Sequence, residues 1–144
     1  MKTALVIGLC IVLLWLAIRL WLHFFGPNAQ NLINNNQLTP CPSPLKCYFI
    51  SVDLEQHPPS PTLLQQLQQS VESMPGSRII NINDNYLYAT YTTRLMGYKD
   101  DLECLINANT LHCRSASRVG RSDLGANKKR VKQLLAKTGI APTQ

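Results

Sequence analysis

The chain has 144 residues, fourteen Lys and Arg against eight Asp and Glu, and a formal net charge of +6. That length suits one domain, and part of it is too apolar to belong to a water-soluble fold. The basic surplus favours anionic partners, and eight of the fourteen basic residues crowd into Arg114 to Lys137.

Residues Ala4 to Phe25 are almost continuously apolar, broken by Arg19 and His23. About 20 such residues are needed to cross a bilayer as a helix. Trp21, Phe24 and Phe25 suit the membrane interface, and Arg19, about one turn from that end, can snorkel to the headgroups. The competing reading is a cleaved signal peptide with Lys2 as its basic region, for which Gly26-Pro27-Asn28 is a poor cleavage site. The expectation is a single-pass anchor over 1–25. An Asn- and Gln-rich run over 26–40 then reads as a polar linker with little to bury, and 41–144 as the soluble domain.

Cys10 lies in the apolar helix; Cys41, Cys47, Cys104 and Cys113 form two short-range pairs. Such pairing points to disulfides and an oxidising compartment, with reduced thiols and zinc as the alternatives. The spacings Cys-x5-Cys and Cys-x8-Cys are not zinc-knuckle spacings, and no metal or cofactor is expected. Pro42 and Pro44 stiffen the loop between the first pair, and Tyr48 to Val52 is a short strand or a packing segment.

Ser60 as N-cap and Pro61 at the first helical position open a helix whose apolar face is Leu63, Leu64, Leu67, Val71 and Met74; Pro75-Gly76 ends it. The hydrophobic period then changes to two. Arg78 to Asn83 and Tyr86 to Leu95 form a hairpin through Asp84-Asn85, which pairs Ile82 with Leu87 and Ile80 with Ala89. A second hairpin joins Asp101–Ile106 to Leu111–Arg118. With Ala108-Asn109 as its turn, Cys104 faces Cys113 and Glu103 faces Arg114, on opposite sides of the sheet. Ser122 or Asp123 caps a last helix, about Leu124 to Lys137, stopped by Gly139. The expected class is α+β: a four-stranded antiparallel sheet flanked by two helices, behind one N-terminal transmembrane helix.

Three stretches together resemble one family: Cys41-Pro-Ser-Pro-Leu-Lys-Cys47, Gly97-Tyr-Lys-Asp-Asp-Leu-Glu103, and Arg114-Ser-Ala-Ser-Arg-Val-Gly-Arg-Ser-Asp-Leu-Gly-Ala-Asn-Lys-Lys-Arg130. This combination is similar to the domain of unknown function 1499, over roughly 39–137. The resemblance implies a bacterial or plastid-type protein, often membrane-anchored, with no established activity. Lys46 departs from the pattern, since members often carry Asn before the second cysteine. The resemblance draws attention to Asp100, Asp101, Glu103, Arg114, Ser115, Ser117, Arg118, Asp123, Asn127 and Arg130 without assigning them roles.

Gly120 and Gly125 have the glycine spacing of a phosphate-binding P-loop, but Ala126-Asn127 stands where that loop needs Lys and Ser or Thr. What remains is a glycine-hinged turn leading into a helix N-terminus, with Arg114, Arg118 or Arg121 able to fork onto a carboxylate or phosphate. The expected site is therefore a hypothetical anion site at Asp101, Glu103, Arg114, Ser115, Ser117, Arg118, Asp123, Asn127 and Arg130. It would take an anionic small molecule, a lipid headgroup or an acidic protein, and no nucleic acid. The bland alternative is a cross-strand ion network of Asp101, Glu103, Arg114 and Arg118. His112 and Cys113, adjacent on a strand, point to opposite faces and cannot form a nucleophile–base pair. An enzyme would have to use Asp101 or Glu103 beside Arg114; an assembly subunit is the third alternative.

Overall fold

The structure, a computed structural model, describes residues 2–29, 32–55 and 61–140. The Ser60 cap lies outside the described residues. The elements run α1 (Lys2–Phe25), β1 (Cys47–Asp53), α2 (Pro61–Glu72), β2 (Ser77–Ile82), β3 (Tyr86–Thr92), β4 (Lys99–Asn107), β5 (Thr110–Ser117) and α3 (Ala126–Lys137). The class is α+β, as expected, but the antiparallel sheet has five strands rather than four, in the order β1-β5-β4-β3-β2. The fifth is the Tyr48–Val52 segment, whose extended backbone completes the ladder along β5.

The second hairpin has the register read from its pattern: Ile106 opposite Leu111, Cys104 opposite Cys113, Glu103 opposite Arg114. Its two-residue turn forces Ala108 into the left-handed region at φ 49°. The first hairpin departs from expectation. Ile82 does pair with Leu87, but a bulge between Ile79 and Asn81 brings Ile79, not Ile80, opposite Ala89. The extra residue turns Ile80 to solvent and lets Ile79 pack on the core.

One sheet face carries the main core. Leu87, Ala89, Leu102, Cys104, Leu111 and Cys113 meet Leu63, Leu64, Leu67 and Val71 of α2 and Val131, Leu134 and Leu135 of α3. The other face is covered by the segment that follows α1. Its Asn and Gln content conceals three apolar residues, and Leu32, Ile33 and Leu38 pack over Tyr86, Tyr88 and Leu105. The segment is therefore a layer of the fold and not a free spacer.

Helix α1 is long and apolar enough to cross a membrane, a description that a signal sequence also meets. Its last turns are joined to the domain: Arg19 Nη1 donates to the carbonyls of Arg94 (2.7 Å) and Leu95 (3.0 Å), and Leu22 is buried.

Because Leu38 fills this second, smaller core, Leu38→Ala is expected to cost about 2–4 kcal/mol of unfolding free energy. Urea titration of the detergent-solubilised protein measures it; an unchanged midpoint would return the segment to the role of a spacer.

Candidate functional site

Strand alternation sends the neighbouring carboxylates Asp100 and Asp101 to opposite sides of the sheet. On the helix side, Asp100 Oδ2 accepts from Arg130 Nη2 at 2.7 Å, and the Arg130 guanidinium lies over the Tyr91 ring at 4.5 Å. Arg130 also donates to Ser115 Oγ at 2.9 Å and to Asn127 Oδ1. The Ser115 hydroxyl is 2.7 Å from Asn127 Oδ1, and Asn127 Nδ2 donates to Ser117 Oγ and to the Lys46 carbonyl, both at 3.0 Å. Asn127 is thus the joint between the disulfide loop, β5 and α3.

On the other side, Glu103 and Arg114 form an ion pair at 2.9 Å with side chains 0 % and 3 % exposed. Glu103 Oε1 also accepts from the Tyr86 hydroxyl and the Ile33 amide, both at 2.8 Å. Asp101 takes Arg118 through both Nε and Nη2, the shortest contact being 2.7 Å, and accepts from the Tyr88 hydroxyl at 2.8 Å. Arg118 Nη1 reaches the Pro27 carbonyl at 3.2 Å. Burial, then the bond to Asp101, pushes the Tyr88 phenol up to about 12; burial and Glu103 push Tyr86 up as well. Both phenols therefore stay protonated donors. For Arg118 burial works downward, but Asp101 outweighs it and the net shift is upward.

The nine expected site residues thus divide between the two faces of the sheet. Asp101, Glu103, Arg114 and Arg118 share the face under the 27–38 segment. Ser115, Ser117, Asn127 and Arg130 share the helix face, with Asp123 at the α3 N-terminus. Tyr86, Tyr88 and Tyr91 complete the networks and were absent from the expected set. A signal for two of them was available, because Tyr86 and Tyr88 alternate with Leu87 and Ala89 and so fall on the strand face away from the main core. Arg121 is exposed and makes no side-chain bond among the described residues.

The last helix begins at Ala126, two residues later than expected. Leu124 and Gly125 both occupy the left-handed region, with φ 53° and 83°, which helical backbone cannot use. Gly125 at the N-cap has no side chain to offer. Asp123 substitutes, its Oδ1 accepting from the Gly125 amide at 2.8 Å and its Oδ2 from the Asn127 amide at 2.9 Å. Burial alone would raise the Asp123 pKa, but those amides prevail and hold it below the usual carboxylate value.

Cys41 and Cys47 form a disulfide with Cα atoms 5.5 Å apart. The second pair, expected as a disulfide at Cys104 and Cys113, is instead two buried thiols with sulfurs 3.2 Å apart. The hydrogen bond to Cys113, followed by burial, raises the Cys104 pKa. His112 lies on the opposite face from Cys113, as strand alternation requires, stacked with Phe49 at 6.1 Å between ring centroids.

A cavity of about 60 Å³ opens beside Cys47 where the disulfide loop meets β5; Lys46, Asp101, Arg114, Ala116, Ser117 and Arg118 line it. Arg114 has one polar atom, Nε, that is buried and without a partner among the described residues.

A family model described as a protein of unknown function, DUF1499, matches residues 27–137. The chain belongs to the DUF1499 family. The match takes in the 27–38 segment as well as the sheet and α3, so the polypeptide covering the second sheet face lies within the DUF1499 region. Among curated proteins no match is found.

Two outcomes check this wiring. Arg114→Met strands Glu103 without its cation, and urea unfolding is expected to show a loss of about 3–5 kcal/mol. The double variant Glu103→Leu with Arg114→Met removes both charges and is expected to recover most of that loss. The Asp123 cap is expected to contribute about 1 kcal/mol at neutral pH. Since its folded pKa is depressed, that contribution is complete above the unfolded value of about 3.9 and fades as pH falls below it. The stability gap between the wild type and Asp123→Ala should therefore close on acidification; a gap that widens would contradict the cap.

Proposed function

We propose that this is a non-enzymatic binding module, held to a membrane by α1, that takes a small monoanion in the cavity beside Cys47. A surplus of positive charge around that cavity carries the reading, because an anion would neutralise it. Lys46, Arg114 and Arg118 face the carboxylates Asp101 and Glu103, and the surplus is one positive charge at Lys46, whose ammonium has no partner among the described residues. About 60 Å³ suits an ion the size of formate, bicarbonate or nitrate rather than a nucleotide.

The broader reading, in which the whole Arg114 to Arg130 stretch recognises a headgroup or an acidic protein, has less support. Arg114, Arg118 and Arg130 are each committed to a carboxylate. An acid–base role for Asp101 or Glu103 is also less favoured, since arginine and tyrosine donors occupy their oxygens. The Cys41–Cys47 disulfide at the cavity rim supports an oxidising compartment, periplasm or thylakoid lumen.

The test is thermal unfolding of the full chain in detergent across formate, bicarbonate and nitrate series at constant ionic strength. A midpoint that rises and saturates with one of these anions is the expected result. Lys46→Gln, which removes the surplus charge, and Ala116→Leu, which fills the cavity, are both expected to abolish the response. A response that follows ionic strength alone, or survives both substitutions, would defeat the reading.

A further inference from the structure

The antiparallel sheet has two unlike ends. At one lie the starts of β1, β2 and β4 and the ends of β3 and β5, so the loops 41–46, 93–98 and 118–125 gather there. At the other lie the polar turns with Asp53, Glu55, Asn83, Asp84 and Asn109. The first end carries three apolar side chains that the fold leaves in the open: Leu45 at 63 %, Leu95 at 69 % and Leu124 at 96 % exposure. Leu124 sits on a left-handed backbone, an unfavourable conformation for a leucine that points it outward instead of into the core. The other large apolar side chains exposed outside α1 are Phe49, Ile80 and Ile82 on the edge strands β1 and β2, and Tyr98 in the same 93–98 loop.

Helix α1 joins the domain at this same end. Arg19 donates to the carbonyls of Arg94 and Leu95, so the 93–98 loop lies beside the helix and not beyond its tip. Arg19 precedes Phe25 by six residues, roughly 9 Å along the axis. A bilayer that receives the exposed Trp21, Phe24 and Phe25 at its interface therefore also meets the loop beside Arg19. Arg94 and Arg121 flank the leucines and match anionic headgroups.

We infer that this end of the domain is a second membrane contact, with Leu45, Leu95 and Leu124 seated in the headgroup–acyl boundary of the bilayer that α1 spans. The domain then lies on the lipid surface in one orientation, its polar turns pointing away. The inference rests on α1 being embedded and is independent of the anion cavity.

The experiment uses the full chain with Cys10→Ser, reconstituted in phosphatidylcholine–phosphatidylglycerol vesicles. Cys104 and Cys113 are fully buried and Cys41 and Cys47 are bonded, so a new surface thiol takes the label alone. An environment-sensitive fluorophore is placed through Leu45→Cys, Leu95→Cys, Leu124→Cys, the far-end control Asp84→Cys, and the helix control Leu13→Cys. Doxyl-labelled lipid is expected to quench positions 13, 45, 95 and 124, with blue-shifted emission, and to leave position 84 bright. Quenching at 13 with 45, 95 and 124 no dimmer than 84 overturns the contact. Absence of quenching at 13 overturns it at its premise, by removing the embedded helix.

Discussion

Strand β4 carries Asp100, Asp101 and Glu103 into the interior, and each of these carboxylates needs a cation and further donors to be tolerated there. Arg130, Arg118 and Arg114 answer them one for one. Because Asp100 and Asp101 project to opposite faces, no single element can supply all three partners. Arg130 has to come from α3 across the core face, while Arg118 and Arg114 come from β5 and its continuation. The register of β4 on β5, the placement of α3 and the closure of the 27–38 segment are thereby linked, since a slip in any of them strands a buried charge.

Asn127 performs the corresponding task for backbone groups. It is fully buried, and it fixes the Lys46 carbonyl, the Ser117 hydroxyl and the Arg130 guanidinium while its own amide is capped by Asp123. The disulfide loop and the β5–α3 motif are far apart in sequence and meet at this side chain. Ser115 and Ser117, adjacent members of one strand face, complete the same junction. Their hydroxyls are consumed by it, which explains serines in a strand without assigning them to a ligand.

The hairpin carrying Cys104, Glu103, Arg114 and Cys113 was legible because a period of two and a two-residue turn leave only one register that keeps Leu111 and Ile106 inside. The bulge at Ile80 was not, since alternating Ile residues read equally well without an inserted residue. Nor was the thiol state of Cys104 and Cys113, since the register sets the two cysteines face to face in either state. The 26–40 segment misled through composition: a few apolar residues among many amides are enough to form a layer when Tyr86, Tyr88 and Leu105 offer them a surface. The arginines were legible as a cluster but not as donors already committed, since commitment depends on carboxylates that tertiary structure alone brings within reach.

The path from α1 to the cavity is short and leaves little slack. Arg118 lines the cavity, chelates Asp101, and donates to the Pro27 carbonyl two residues after Phe25. Asn28 forms part of the same wall. The segment leaving the helix is thus a wall of the cavity and a lid over the sheet, and the cavity is closed on that side only while that segment is docked. Any ligand that binds there favours the docked arrangement, and by linkage docking of the helix exit favours the ligand by the same factor. A domain on a flexible tether would have no such coupling. In this fold it would follow, for a ligand seated in the cavity, from one guanidinium shared between the buried Asp101 carboxylate and the Pro27 carbonyl just beyond the apolar helix.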